Sequence, residues 1–156
     1  MKQILIFDLD DTIIMHNNKR IKYNTIKENP FLTYHLNQCE GEKYIYTNAT
    51  YGHANIILNN MNILKQFKKI YSRDTINTMK PDIKSAIDIQ RDIVNIEKTN
   101  ENEYIFFDDQ LVNLESAKNL GWKTIWINKD HYLSYKYPYV DKSYSNVINA
   151  LMNYFK

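Results

Sequence analysis

An α/β fold built on a central parallel sheet of about five strands, with helices on both faces, is predicted by three features of this 156-residue sequence. Short apolar runs that read as buried strands alternate with longer stretches of helical spacing. The strongest strand candidates each stop at polar residues: Ile4-Leu5-Ile6-Phe7 at Asp8, Tyr44-Ile45-Tyr46 at Thr47, and Tyr104-Ile105-Phe106-Phe107 at Asp108. Gly and Pro occur only three times each, and no fixed-period repeat or low-complexity linker interrupts the chain, so a single domain over residues 1–156 is expected.

In order, residues 2–8 form the first strand, followed by a polar, basic stretch over 16–29 without clean periodicity. Pro30 suits the first turn of a helix over 31–38, with Asn29 as its N-cap. A second strand at 44–47 leads to a helix over about 50–60, where Ala54, Ile57, Leu58 and Met61 recur at helical spacing. Residues 69–72 make a short third strand and 81–94 a helix carrying Ile83, Ala86, Ile87 and Val94. The fourth strand, 104–107, precedes a helix over 113–120 that stops at Gly121; 123–127 is the fifth strand, and a helix over about 145–155 closes the chain.

Lys and Arg number 20 against 18 acidic residues, and a formal charge of +2 marks neither a strong nucleic-acid binder nor a membrane-surface protein. No stretch approaches the ~18 apolar residues of a membrane span. A single cysteine, Cys39, and an N-terminus that begins on a strand pattern point to a soluble protein of a reducing, cytoplasmic compartment.

Strands joined by helical crossovers place their carboxyl ends on one rim, where α/β proteins carry their sites. That rim gathers Asp8, Asp10, Asp11 and Thr12, then Thr47 and Asn48, then Asp108 and Asp109, with Lys80 just before a helix. With a strand period of two, Asp8 and Asp10 project to the same side if the extended geometry continues. Paired carboxylates can hold a hard divalent cation, or divide labour between nucleophile and proton donor. Each piece also has a plainer use: a solvated acidic turn, a strand-end hydroxyl at Thr47, a helix start at Lys80-Pro81, an N-cap at Asp108-Asp109. His53 reads as a surface or capping histidine, and the run Tyr132, Tyr135, Tyr137, Tyr139 and Tyr144 as packing around the last strand and helix in preference to base stacking.

In this order the residues resemble the haloacid dehalogenase (HAD) superfamily of phosphohydrolases, over nearly the whole chain. Asp8, Asp10 and Thr12 fit its first motif, Asp-x-Asp-x-Thr, and Thr47-Asn48 its second. Lys80-Pro81 fits the third, and Phe106-Phe107-Asp108-Asp109 the fourth, with Asn113, Ala117 and Gly121 following in place. His53-Ala54 is similar to the pyrimidine 5'-nucleotidase-like branch. A bacterial receiver domain uses similar groups in a different order, with its Lys last, and is set aside.

The resemblance implies a Rossmann-like core and a Mg2+-dependent phosphomonoesterase. Asp8 would be the nucleophile and Asp10 the general acid and base. Thr47, Asn48 and Lys80 would bind the phosphoryl group. Asp8, Asp10 through its carbonyl, Asp108 and Asp109 would hold Mg2+, with Thr12 and Asn113 in support. Only about 35 residues separate Asp8 from the second strand, and Lys80 follows the third almost at once, so no sizeable cap domain is expected. An open site admits small phosphomonoesters such as nucleotides, which rank first. Next come a phosphoprotein or the phosphorylated end of a nucleic acid, bulky substrates that an open site admits unless a neighbouring subunit of a homo-oligomer closes it. Lys19, Arg20, Lys22 and Lys27 form either a basic flap over the rim or a solvated loop. A non-catalytic binding or regulatory module on the same fold is the alternative.

Overall fold

The computed structural model describes all 156 residues. Its strands are β1 (Lys2–Phe7), β2 (Glu42–Tyr46), β3 (Lys69–Tyr71), β4 (Asn102–Asp108), β5 (Lys123–Ile127) and β6 (Lys142–Tyr144). Its helices are α1 (Pro30–Gln38), α2 (Tyr51–Asn60), α3 (Ile83–Glu97), α4 (Leu111–Asn119) and α5 (Val147–Tyr154). The six strands form one sheet in the order β3-β2-β1-β4-β5-β6, and every pairing is parallel. The sequence predicts about five strands; the sixth is the three-residue edge strand Lys142–Tyr144, whose residues are exposed or half-buried and so leave no apolar run to read.

Side-chain alternation along the strands divides the core in two. Leu5, Phe7, Ile45, Ile105 and Phe107 point to one face and pack against Leu36 of α1, Ile57 of α2 and Leu151 of α5. Ile4, Ile6, Tyr44 and Phe106 point to the other, against Ile89 of α3 and Leu114 of α4. Both faces being covered explains why β1 and β4 read as unbroken apolar runs.

Local signals fix most helix ends. Asn29 Oδ1 accepts from the main-chain N–H groups of Phe31 (3.2 Å) and Leu32 (3.3 Å), the cap expected before Pro30. α3 starts at Ile83 instead of Pro81, because Asp82 is its cap, and runs three residues past Val94 to Glu97, where Lys98 turns left-handed (φ 56°). Gly121 follows α4 at φ 88°, a conformation that favours glycine. Residues 16–29 contain only a 3-10 turn at Tyr23–Thr25. The tyrosine run divides: Tyr137, Tyr139 and Tyr144 pack against the core, while Tyr132 and Tyr135 are 66% and 79% exposed. No helix is long and apolar enough to cross a membrane.

Glu97 ties together the end of the sheet opposite the rim. Its carboxylate is 1% exposed and accepts from Lys2 at the start of β1, from the Tyr44 hydroxyl in β2, and from Lys68 ahead of β3 at 2.8 Å. Burial opposes its ionisation, but the hydrogen bonds from Lys2, Lys68 and Tyr44 outweigh it and hold the carboxyl at about 2. A carboxyl held low in the folded state stabilises the protein above its unfolded value and loses that contribution as pH falls through the folded one. Glu97→Gln is expected to cost about 2 kcal/mol at neutral pH. Urea denaturation should show the gap between the two proteins closing below about pH 4.

Candidate active site

The chain runs outward from β1 to β2 and β3, then returns through α3 to lay β4, β5 and β6 on the other side of β1. The order reverses between β1 and β4, and a crevice opens at the carboxyl ends of strands at such a point. Phe7 pairs with Phe107 across this boundary, and the Asp8 N–H donates to the Phe107 carbonyl at 2.9 Å, so Asp8 and Asp108 emerge side by side.

Lys80 lies between them. Its ammonium donates to Asp8 Oδ1 (2.8 Å), to Asp108 Oδ2 (2.8 Å) and to the Tyr46 carbonyl (2.9 Å), which uses all three protons. The Tyr46 and Phe106 rings stand 5.0 and 5.6 Å from it, on the face away from α1. Burial opposes its charge, yet Asp108 and Asp8 outweigh that, and its pKa is raised above that of a free lysine. The Lys80 main chain is fixed by Asn48, whose amide donates to the Lys80 carbonyl and accepts from its N–H, both at 3.0 Å.

The acidic groups crowd. Asp8, Asp108 and Asp109 each present a carboxylate oxygen, and these oxygens lie within 4.8 Å of one another. Burial and the Asp108 charge push Asp8 up to about 6 against the pull of Lys80. Burial, Asp108 and Asp8 push Asp109 up to about 9. Asp108 is fully buried, accepting from the Gln110 N–H (2.8 Å) and the Asn113 amide (3.1 Å) as well as Lys80. Thr12 Oγ1 donates to Asp8 Oδ2 at 3.0 Å. Thr47 Oγ1 accepts from the Ala49 N–H at 3.0 Å.

Asp10 stands differently from the expectation drawn from strand period. β1 ends at Phe7, Asp11 adopts a left-handed conformation (φ 59°), and Asp10 pairs back to Ile14, so alternation no longer governs its side chain. Its carboxylate is outside the three-acid group. It is gripped by His16 Nε2 at 2.6 Å and His53 Nε2 at 2.9 Å. His53 sits in the first turn of α2, where its N–H meets the Thr50 cap (3.3 Å), and its Nδ1 meets the Tyr23 hydroxyl at 2.7 Å. If Tyr23 donates there, Nε2 carries the proton that Asp10 receives.

His53 is therefore more than a capping residue, and His16 was not singled out by the sequence at all. Their positions carry a signal all the same: both fall shortly after the carboxyl end of a strand, β1 and β2, hence on the rim. Asp8, Asp10, Thr47, Asn48, Lys80, Asp109 and Asn113 line one cavity of about 230 Å³. Thr12 and Asp108 lie beneath it. The expected site residues thus come together, with Asn48 turned to Lys80.

A parallel sheet with its switch point at two buried aspartates, bridged by one lysine, is a doubly wound α/β core with a polar site at its rim, and comparison with known proteins places it more closely. The model of the haloacid dehalogenase-like hydrolases matches residues 16–127, well over half of the chain, and the chain belongs to that family. The matched range starts after Asp8–Thr12.

Among solved structures, a provisionally named β-phosphoglucomutase from Thermotoga maritima is similar at a TM-score of 0.73 and 12% identity, over 99% of this chain and 98% of that one. The core domain of a provisionally named phosphoglycolate phosphatase from Streptococcus pneumoniae is similar at 0.65 and 17% identity, over 100% and 98%. The L-2-haloacid dehalogenase of Xanthobacter autotrophicus is similar at 0.59 and 12% identity, over 84% of this chain but only 63% of its own length. At such identities these likenesses establish the fold. No curated protein matches the chain at a significant level. The connections between β1 and β2 and between β3 and α3 hold no cap domain.

Proposed function

We propose that the chain is a Mg2+-dependent phosphomonoesterase that forms an aspartyl-phosphate on Asp8. The observation that carries this reading is the Lys80 ammonium held 2.8 Å from both Asp8 and Asp108, with Asp109 completing a three-carboxylate group.

The donor set suits a hard divalent cation. Three carboxylates from one small volume supply only oxygen, and burial together with their mutual repulsion pushes Asp8 and Asp109 up despite the single Lys80 cation. Asp8, Asp108 and Asp109 would hold it, with the Asp10 carbonyl. When bound, Mg2+ would screen the anionic phosphoryl group from these acids and polarise it.

The chain's own residues do the rest. An Asp8 oxygen attacks phosphorus, the bond to the leaving oxygen breaks, and Asp10 supplies the proton that turns that oxygen into an alcohol. Water then attacks the phosphorus of the aspartyl-phosphate, Asp10 takes back a proton, and Asp8 is released with inorganic phosphate. Lys80 stabilises the extra negative charge beside Asp8. The Thr47 hydroxyl proton has no protein partner and is free for a phosphoryl oxygen. The Asn48 side chain is occupied by Lys80, which leaves its main-chain N–H for the same task. His16 and His53 hold Asp10 by hydrogen bonds. A dehalogenase would use the same nucleophile, but the three-carboxylate group favours phosphoryl transfer.

The substrate class is a phosphomonoester, with nucleotides and other small esters as the minimal case. Mg2+-dependent phosphate release from a panel of nucleotides, sugar phosphates, phosphopeptides and phosphorylated oligonucleotides tests it. Silence across the panel would favour a non-catalytic binding module.

Two further results are expected. Mg2+ at tenfold its Kd should raise stability by about 1.4 kcal/mol and Tm by about 3–6 °C. Because Asp8 and Asp109 must lose protons to serve as ligands, with values near 6 and 9, that gain should grow as pH rises from 6 to 9. A gain independent of pH would remove them as ligands. Replacing His16 and His53 by Gln should slow an alkyl phosphate, which needs a proton from Asp10, at least about tenfold more than p-nitrophenyl phosphate, which does not. Equal losses would mean that the histidines serve only structure.

A further inference from the structure

The cavity at Asp8 holds about 230 Å³, less than the ~300–1,000 Å³ of ordinary ligand pockets, so it takes the phosphoryl end of a substrate and little more. A second cavity of about 610 Å³ adjoins it. His16 lines this second cavity and bonds to Asp10, which lines the first. Lys19, Arg20, Lys22 and Lys27 line it too, and all four are exposed. None of the four forms an ion pair, although six other lysines and an arginine do. No acidic residue lines the groove, and Glu28, the one acid between Lys19 and Asn29, is not part of it. In a chain of net charge +2, four unpaired cations on one groove are a local field, and its complement is a row of anions.

Resting on the phosphomonoesterase reading, we infer that this groove binds the sugar-phosphate backbone behind a terminal phosphate, so that the preferred substrate is the phosphorylated end of a single-stranded nucleic acid. The cations are spread from position 19 to 27 along an open groove instead of converging on one point, which suits successive phosphates better than one compact polyanion. Tyr23, 39% exposed, lies outside the groove's lining but is hydrogen-bonded to His53 beside Asp10, where its ring offers a surface for a base next to the strand end. The terminal phosphate would enter at Asp8 and leave as inorganic phosphate, with water supplying the hydroxyl that remains on phosphorus and Asp10 the proton that caps the strand.

The test compares kcat/KM for a ten-nucleotide strand phosphorylated at either end with that for p-nitrophenyl phosphate, between 50 and 200 mM salt. Four backbone contacts give a log–log slope of about −3 for the strand, a loss of about fifty-fold over that range. The variant with Lys19, Arg20, Lys22 and Lys27 all replaced by Ser should flatten the slope toward zero and lower the strand-to-small-substrate ratio at least about tenfold. Equal slopes for the two substrates, or an unchanged ratio in the variant, would overturn the groove. A small bisphosphate that gains as much as the strand would overturn the assignment to nucleic acid. Failure of the phosphatase reading is separable. If p-nitrophenyl phosphate is not turned over at all, fluorescence anisotropy of the labelled strand still reads the salt slope and its loss in the variant.

Discussion

Asp8→Asn is expected to lower phosphate release by at least about 10⁴-fold while leaving the protein folded. An amide cannot form the acyl phosphate, and the residual rate would reflect binding and charge alone. The stability effect separates chemistry from structure. Burial and the Asp108 charge raise Asp8 to about 6 without a cation, so the folded state holds this proton more tightly than the unfolded chain. A raised carboxyl makes the folded protein lose stability as pH climbs from about 4 through 6, and that cost is present at neutral pH. Asn removes it. At pH 7.5 without divalent cation the variant should match or exceed the wild type in urea, even though Lys80 loses one partner. With Mg2+ present the order should reverse, because the variant lacks a ligand. A variant that unfolds, or that keeps its activity, would show that Asp8 serves structure and not the reaction.

Lys80→Met carries the second large effect, and here fold and activity fail together. The ammonium satisfies Asp8, Asp108 and the Tyr46 carbonyl at once, with its side chain 3% exposed. Met fits beside the Tyr46 and Phe106 rings but leaves two buried carboxylates facing each other without a cation. Breaking a buried pair in this way costs about 3–5 kcal/mol, and loss of the charge beside Asp8 should lower kcat by about 10³-fold. Urea denaturation with and without Mg2+ checks the cause. A divalent cation should restore part of the stability of Lys80→Met but little of its activity. A loss below about 1 kcal/mol would mean that the Lys80 bridge contributes little to stability.

Much of this was legible in the residues because local and global signals agree. β1 and β4 are buried on both faces and read as apolar runs, and each ends in acids because the rim is where polar groups reach solvent. The alternation of elements then placed Asp8, Thr47, Lys80 and Asp108 on one rim before any coordinate. What stayed hidden depends on contacts between distant positions. Lys80 ahead of Pro81 looks like a solvated helix start until the sheet brings Asp8 and Asp108 around it. The period of a strand says nothing once the strand stops, and Asp10, three residues past β1, turns to His16 and His53. β6 owes its place to pairing with β5, not to its own three residues. The basic segment over 16–29 has no periodicity to interpret, and only its folded path sets four cations along one groove.

The most direct measurement is mass spectrometry of the protein quenched in acid during turnover of a phosphomonoester with Mg2+. A phosphoryl increment on the peptide containing Asp8, removed by hydroxylamine and absent from Asp8→Asn, is the expected result. Turnover with no label on Asp8, or with label on another residue, would contradict covalent catalysis by this aspartate.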